Sequence, residues 1–357
     1  MKRIIKVVVI LILFIPTKIK AVNLTTDSLI AQDINSGRVF YKKNESSKRL
    51  IASTTKIMTA ILAIENSNIT DLIEAKEEIL EMYGSNIYLE KNEKMIMLDL
   101  IYGLMLRSGN DAAVVIAKNV GGTEEKFVKM MNKKAKEIGM TNTLFSNPTG
   151  LDDDTKNYST AEDLAKLYSY AYKNETFKEV SKTNHYRTKS DLKSYDWYNR
   201  NKILSLYDKA TGGKTGYTPS AKRILVTSAS NDDLDITIAS FNSIYDYDLH
   251  INLYEDIFNN YKNYLLLDKD NFIYKNNLKN ENLYIKNSFY YPLTEEEKNN
   301  ITYNLVINNK DKEEVGKVEI LLNNKILKEE KIYKENKKDK SFIDKIISFI
   351  KNLVKKK

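Results

Sequence analysis

The chain has no cysteine and only two histidines, His185 and His250, among 357 residues. The first absence removes any disulfide framework or thiolate metal centre, and two histidines are too few for a His-rich zinc site, which argues against a zinc peptidase. A Ser-His-Asp triad would have to use one of the two, and neither lies in a local signature such as Gly-x-Ser-x-Gly. A serine enzyme built from this sequence therefore takes lysine as its base. Proline is scarce as well, with 4 residues, and 42% of the chain is hydrophobic. That composition fits a globular protein long enough for two domains with cores of their own. The net charge of +8 is unevenly placed: residues 1–21 carry +5 and residues 331–357 carry +7, which leaves −4 for residues 22–330. The body lacks the basic face that phosphate contacts require, so no nucleic-acid partner is expected.

No apolar run reaches the length of a comfortable membrane span. At the start, Lys2 and Arg3 precede an apolar stretch from Val7 to Ile15, which reads as a secretory signal peptide over residues 1–21 with cleavage near Ala21; an uncleaved anchor is the alternative. Residues 29–41 alternate around Asn35-Ser36-Gly37 and predict a β-hairpin. Helical periodicity dominates from Thr54 to Met140. Residues 224–230 and 234–241, separated by a polar turn, predict adjacent strands. Beyond Leu267 the texture changes to short Tyr/Ile/Val-rich pieces, which suggests a small all-β domain over residues 265–335. Residues 340–357 place Phe342, Ile343, Ile346, Ile347, Ile350, Leu353 and Val354 on one helical face with lysines at its edges, the pattern of an amphipathic helix on a membrane surface, the alternative being a terminal helix packed on its own β domain.

Three short motifs carry chemistry. Ser53-x-x-Lys56 stands ahead of a long apolar run, Ser108-Gly109-Asn110 ends the helical pattern LIYGLML, and Lys214-Thr215-Gly216 precedes the predicted strand pair. Each has an ordinary reading by itself: a helix cap, a helix C-terminal turn, and a strand-leading turn. Ser190/Lys193 and Ser348/Lys351 repeat the first spacing, and Ser240/Asn242 repeats the second. The order and combination of all three are more specific than any one of them. A serine hydroxyl attacks only when a neighbouring base removes its proton. Lys56, on the same helical face and desolvated beside the second cation Lys214, can be that base.

The blocks ASTTKIMTAILAIE, DLIYGLMLRSGNDAAVVIA, FSNPTGLD, YSTAEDLAKL, NRNKIL and GGKTGYT together resemble the D-alanyl-D-alanine carboxypeptidases, the low-molecular-mass penicillin-binding proteins, over residues 25–262. The resemblance implies an α/β (α+β) catalytic domain of the β-lactamase/transpeptidase type over residues 22–264, followed by the β-rich domain and the amphipathic terminal helix. It implies an exported enzyme at the outer face of the membrane, without metal or cofactor. Its ligands would be peptidoglycan stem peptides ending in D-Ala-D-Ala, and β-lactam antibiotics. By resemblance Ser53 is the nucleophile, Ser108 relays a proton, and Asn110 holds the substrate amide. Lys214 and Thr215 then meet the substrate carboxylate, and the backbone N–H groups of Ser53 and Tyr217, the residue after Gly216, form the oxyanion hole. Asp111 and Glu162 are read as structural. A β-lactamase is the rival enzyme, disfavoured because no Glu-x-x-Leu-Asn segment lies between the second and third motifs. An inactive wall-binding scaffold is the non-enzymatic alternative. One departure stands out: the family usually carries an arginine after the strand that follows Lys-Thr-Gly, and no arginine occurs here beyond Arg223. Superposing the helix pattern INLYEDIFNNY puts His250 at that position, with Arg200 as a second basic contact; the alternative is an exposed histidine at a helix start with no special role.

Overall fold

The computed structural model describes residues 24–231, 233–272, 283–307 and 313–334. The predicted signal peptide and terminal helix lie outside these residues.

A five-stranded antiparallel sheet forms the spine. Its strands are β1 (Ser28–Asp33), β2 (Val39–Lys43), β3 (Ala210–Thr218), β4 (Lys222–Asn231) and β5 (Leu234–Phe241), in the order β2-β1-β5-β4-β3. The predicted hairpin and strand pair are both in it, and β3 is left as an edge. Side chains alternate across the strands as the two-residue period demands. Ile30, Ile224, Val226, Ala239 and Phe241 join one core, while Leu29, Ala31, Ala229, Ile236 and Ile238 join another on the opposite face. The first face packs under a helical layer containing α1 (Lys56–Asn66), α2 (Asn110–Gly121) and α3 (Ala161–Tyr172). The second is covered by α4 (Asp246–Asn260) through Leu249, Leu253, Tyr254 and Ile257. Every residue of α1 from Lys56 to Ala63 is buried. Each of its large apolar side chains contributes about 1.5–3 kcal/mol on burial, which makes α1 a rigid mount for what stands at its start.

The helical region is not continuous as periodicity suggested. Between residues 67 and 96 the chain leaves the helical layer and forms a short antiparallel pair, Leu72–Glu74 with Lys94–Ile96, joined by irregular backbone. Gly84 and Asn92 adopt positive φ there, and the polar turn formers around them outweigh the apolar spacing.

A second, four-stranded antiparallel sheet comprises Leu283–Ile285, Ile301–Ile307, Glu314–Leu322 and Lys325–Lys334. Its core includes Ile285, Val318, Ile320 and Ile332. The strand Lys262–Leu267 runs across the expected boundary at 264/265 and pairs with Phe289–Leu293. Arg38, in the β1–β2 turn, reaches this region: it meets Glu297 at 2.6 Å and lies over the rings of Tyr261 and Tyr291.

Candidate active site

Ala52–Thr55 forms one 3-10 turn that runs directly into α1. Side chains three apart eclipse in that geometry, so Ser53 and Lys56 stand one above the other, with Lys56 Nζ 3.1 Å from Ser53 Oγ. The helix-cap reading of Ser53 fails, because no side-chain cap bond closes either the turn or α1. The turn is strained: Ala52 holds φ 43°, which costs a residue with a Cβ about 1–3 kcal/mol. It is braced by the segment 147–157. Gly150, at φ 85°, lies so close that a Cβ there would sit 1.9 Å from the Ala52 carbonyl oxygen. That approach brings the Thr149 carbonyl to 2.6 Å from Lys56 Nζ. Asn147 Oδ1 accepts from the N–H groups of Thr149 and Gly150, and Asn157 Nδ2 donates to Thr55 Oγ1. The sequence reading missed Thr149 as a site group; the Asn-Pro-Thr-Gly turn cluster was its only trace.

The second motif follows a five-residue π-helical stretch, Gly103–Arg107, which ends at Ser108 in the left-handed region, φ 62° and ψ 36°. Both features are uncommon and recur at functional sites. Lys214 Nζ donates to Ser108 Oγ at 3.1 Å. Asn110 opens α2 with both ends of its amide engaged: Oδ1 lies 2.7 Å from Lys56 Nζ, and Nδ2 donates to the Tyr83 carbonyl at 2.6 Å. Asp111 accepts from the N–H groups of Ile87 and Leu89 and secures that flanking segment. Glu162 pairs with Lys166, so both acids are structural.

The third motif lies on β3. Gly216 packs against the turn that carries Ser53, where a Cβ would meet the Ile51 carbonyl oxygen at 3.2 Å and the Thr54 nitrogen at 3.3 Å. Burial, then the charge of Arg200, pulls Lys214 down to about pKa 7. Lys56 is held well below its ordinary value by burial first, then by Lys214, with Asp111 opposing and Arg200 assisting. Both effects favour the neutral amine. A neutral amine has two N–H donors and one lone pair. The Asn110 and Thr149 oxygens can only accept, so they take the two donors and leave the lone pair facing the Ser53 hydroxyl. A cavity of about 600 Å³ opens over this arrangement, lined by Ser53, Ser108, Thr215, Gly216, Tyr217 and Arg200 among others. Arg200 is anchored on Ser85 Oγ. Ser190, by contrast, sits in the turn between the strands His185–Lys189 and Ser194–Tyr198, with its Oγ accepting from the backbone N–H groups of Leu192 and Lys193.

Residues 16–244 match the family described as D-alanyl-D-alanine carboxypeptidase. The chain belongs to the D-alanyl-D-alanine carboxypeptidase family. It is 37% identical over 213 residues to the D-alanyl-D-alanine carboxypeptidase DacF of Bacillus subtilis (strain 168), a match covering 58% of this chain and 54% of that protein. It is 36% identical over 220 residues to the D-alanyl-D-alanine carboxypeptidase of Streptomyces sp. (strain K15), covering 56% of this chain and 75% of the relative. The match thus spans about half the length of the Bacillus protein. Among solved structures, a mutant of the Streptomyces K15 DD-transpeptidase is 30% identical at a TM-score of 0.62, over 66% of this chain and 97% of that one. Penicillin-binding protein 5 from Haemophilus influenzae shares the fold at a TM-score of 0.77 and 22% identity, over 88% of this chain and 97% of the other.

Against the family's arginine, the assignment of His250 needs correction. His250 is completely buried in α4 on the far face of the sheet, with Nδ1 2.7 Å from Thr227 Oγ1 and Nε2 2.8 Å from Ser240 Oγ. Burial lowers its pKa to about 3, so it is a neutral core residue that does not line the cavity. The α4 residue that does is Asp246, one helical turn earlier, bonded to Arg223 of β4. Neither was among the expected site residues.

Proposed function

We propose that this chain is an exported serine D-Ala-D-Ala carboxypeptidase that removes the terminal D-alanine from peptidoglycan stem peptides through an acyl-enzyme on Ser53. The observation that carries this reading is the buried Lys56 amine, 3.1 Å from Ser53 Oγ, with its two donor positions taken by Asn110 and Thr149. Lys56 accepts the Ser53 proton as Oγ bonds to the penultimate D-Ala carbonyl carbon. The oxyanion is received by the backbone N–H groups of Ser53 and Tyr217, each such donor being worth about 10²–10³ in rate. As the C–N bond breaks, a proton passes through Ser108, beside Lys214, to the departing D-Ala nitrogen. Water then takes up the acyl group and restores Ser53. A β-lactam enters the same first step, and its opened ring stays attached to the acyl group. In the bracing segment Asp152 and Asp153 are bonded to Thr218 and Tyr83, so neither is free to serve a rapid β-lactamase as its second base.

A fluorescent penicillin tests the reading. Wild type should label and release D-alanine from a D-Ala-D-Ala peptide, and Ser53→Ala should do neither while keeping its melting temperature. Labelling retained in Ser53→Ala would place the nucleophile elsewhere; rapid loss of the label with antibiotic turnover would favour the β-lactamase. We further infer peripheral membrane attachment through residues 340–357. Among the described residues no helix is long enough and apolar enough to cross a membrane. Each basic side chain near an anionic surface contributes about 1 kcal/mol, and the apolar face adds to it. Truncation at Asp339 should move the protein to the soluble fraction with unchanged penicillin labelling.

A further inference from the structure

If the substrate ends in a free carboxylate, a cation must receive it, and the loss of His250 from the site leaves that cation to be found. The inference therefore rests on the carboxypeptidase reading. Three permanently or largely charged side chains line the cavity: Arg200, Lys202 and Arg223. Arg200 is tied to Ser85 beside the catalytic lysines, and Lys202 is exposed. Arg223 differs in both position and preparation.

Its position follows from strand register. Thr215 pairs with Leu225 and Tyr217 with Arg223 across β3 and β4. Directly paired residues share a face, so Thr215 and Arg223 are diagonal neighbours on one face, about 7–8 Å apart and within reach of a long side chain. Lys214 pairs with Val226 and belongs to the other face. A peptide laid along the free edge of β3, with its scissile carbonyl at Ser53, would carry its C-terminus past Thr215 toward Arg223.

Its preparation is the contact with Asp246. Arg223 Nε donates to Oδ2 at 3.1 Å, and Nη2 donates to Oδ1 at 2.7 Å and to Oδ2 at 2.8 Å. Asp246 is itself only 5% exposed and accepts from the Tyr247 N–H. One edge of the guanidinium fork is therefore fixed. Among the described residues Nη1 has no partner, and the side chain is half exposed. The free edge has the two-donor geometry that matches a second carboxylate.

We propose that Arg223 is the cation that receives the substrate's terminal carboxylate, with the Thr215 hydroxyl beside it, and that Asp246 is the positioning residue that aims it. Selectivity for a free C-terminus follows: a carboxylate accepts both N–H groups of the open edge, whereas a C-terminal amide presents one acceptor and one competing donor.

The test compares a D-Ala-D-Ala peptide as free acid and as C-terminal amide. In Arg223→Gln, KM for the acid should rise about ten- to a hundredfold with kcat within a few-fold, and KM for the amide should stay put, so the acid/amide ratio collapses. Arg223→Lys should fall between, because it keeps the charge and loses the fork. Asp246→Asn should weaken acid binding less. The double exchange Arg223→Asp with Asp246→Arg, which returns a guanidinium to the same pair from the helix side, should recover part of the ratio. An unchanged acid/amide ratio in folded Arg223→Gln overturns the proposal, as does an equal loss on both peptides. If wild type cleaves neither peptide, the carboxypeptidase reading fails separately, and the acylation rates of benzylpenicillin and its methyl ester then decide the role of Arg223 by the same ratio.

Discussion

Asn110→Asp tests whether Lys56 works as a neutral base, because it changes one atom of the amide and adds a charge where the structure is most sensitive to it. Asn110 Oδ1 lies 2.7 Å from Lys56 Nζ. At that distance, with an effective dielectric constant of about 20, an ion pair is worth about 6 kcal/mol, or about 4 pKa units at 1.36 kcal/mol each. The lysine does not receive all of it. The introduced carboxylate would be buried and would face the Tyr83 carbonyl, 2.6 Å from the present Nδ2, which raises its own pKa and weakens the pair. Halving the effect still moves Lys56 up by about 2 units, which lowers its neutral fraction by up to about a hundredfold wherever the pH lies below the original pKa.

The assay is the rate of covalent penicillin labelling from pH 6 to 10. Asn110→Asp should label more slowly on the acid side, by up to about a hundredfold, and gain rate with rising pH, so that the acid limb moves to higher pH by about two units. Asn110→Ala, which loses the acceptor without adding charge, should lose rate with no such move. An Asn110→Asp enzyme whose acid limb coincides with that of wild type would refute the neutral-base argument, whatever its absolute rate.

Four further outcomes follow from burial and backbone geometry. Gly150→Ala should cut labelling at least tenfold while the protein still folds, since its Cβ would meet the Ala52 carbonyl oxygen at 1.9 Å and push Thr149 away from Lys56; labelling at the wild-type rate would remove Thr149 from the site. Lys214 has a pKa of about 7 when folded against an ordinary 10.5, so between those values the unfolded chain holds the extra proton and stability rises with pH. Melting curves from pH 7 to 9.5 should show a flatter dependence for Lys214→Met than for wild type, and parallel curves would contradict the lowered pKa. His250 falls from 6.5 to about 3 on folding, so stability should decline as pH drops below 6.5 and less steeply in His250→Asn. His250→Arg should destabilise by about 3–5 kcal/mol as an unpaired buried charge rather than alter KM, and a stable variant with lowered KM would restore the histidine to the site.

The three motifs were legible because each is local: the chemistry requires a hydroxyl, an amine and an amide at fixed short spacings, and one turn or one strand supplies each set. The central sheet was legible because apolar residues occupy β1, β4 and β5 with turn formers between them. Other parts carry no such signature. Thr149 contributes a carbonyl oxygen, a group every residue has, and only the turn around Gly150 marks its place. Arg223 enters through its pairing with Tyr217, and register between strands is a tertiary fact. His250 was misplaced because a helical pattern gives spacing along α4 and not which turn reaches the cavity. Asp246 and His250 are one turn apart, yet one lines the site and the other is sealed behind the sheet.

The same limit applies to the lysines. The chain is rich in them, and nothing in the residue type separates Lys56 and Lys214 from the rest; the difference lies in their partners. Lys134, Lys166 and Lys317 each meet a carboxylate, and all three have raised pKa values, Lys134 through Tyr170 and Glu65 against the cost of burial, Lys166 through Glu162 and Asp163 against the same cost, and Lys317 through Glu319 and Glu329. Around Lys56 and Lys214 every bonded partner is neutral: two hydroxyls, one amide and two backbone carbonyls. One acid, Asp111, does stand next to Asn110 in sequence, and its carboxylate is taken up by the Ile87, Leu89 and Ala112 N–H groups. A carboxylate bonded to either lysine would stabilise the fold and the ammonium together, and the base would be lost. The fold therefore turns the Asp111 carboxylate onto backbone N–H groups and away from the amines, a matter of side-chain direction that residue spacing does not record.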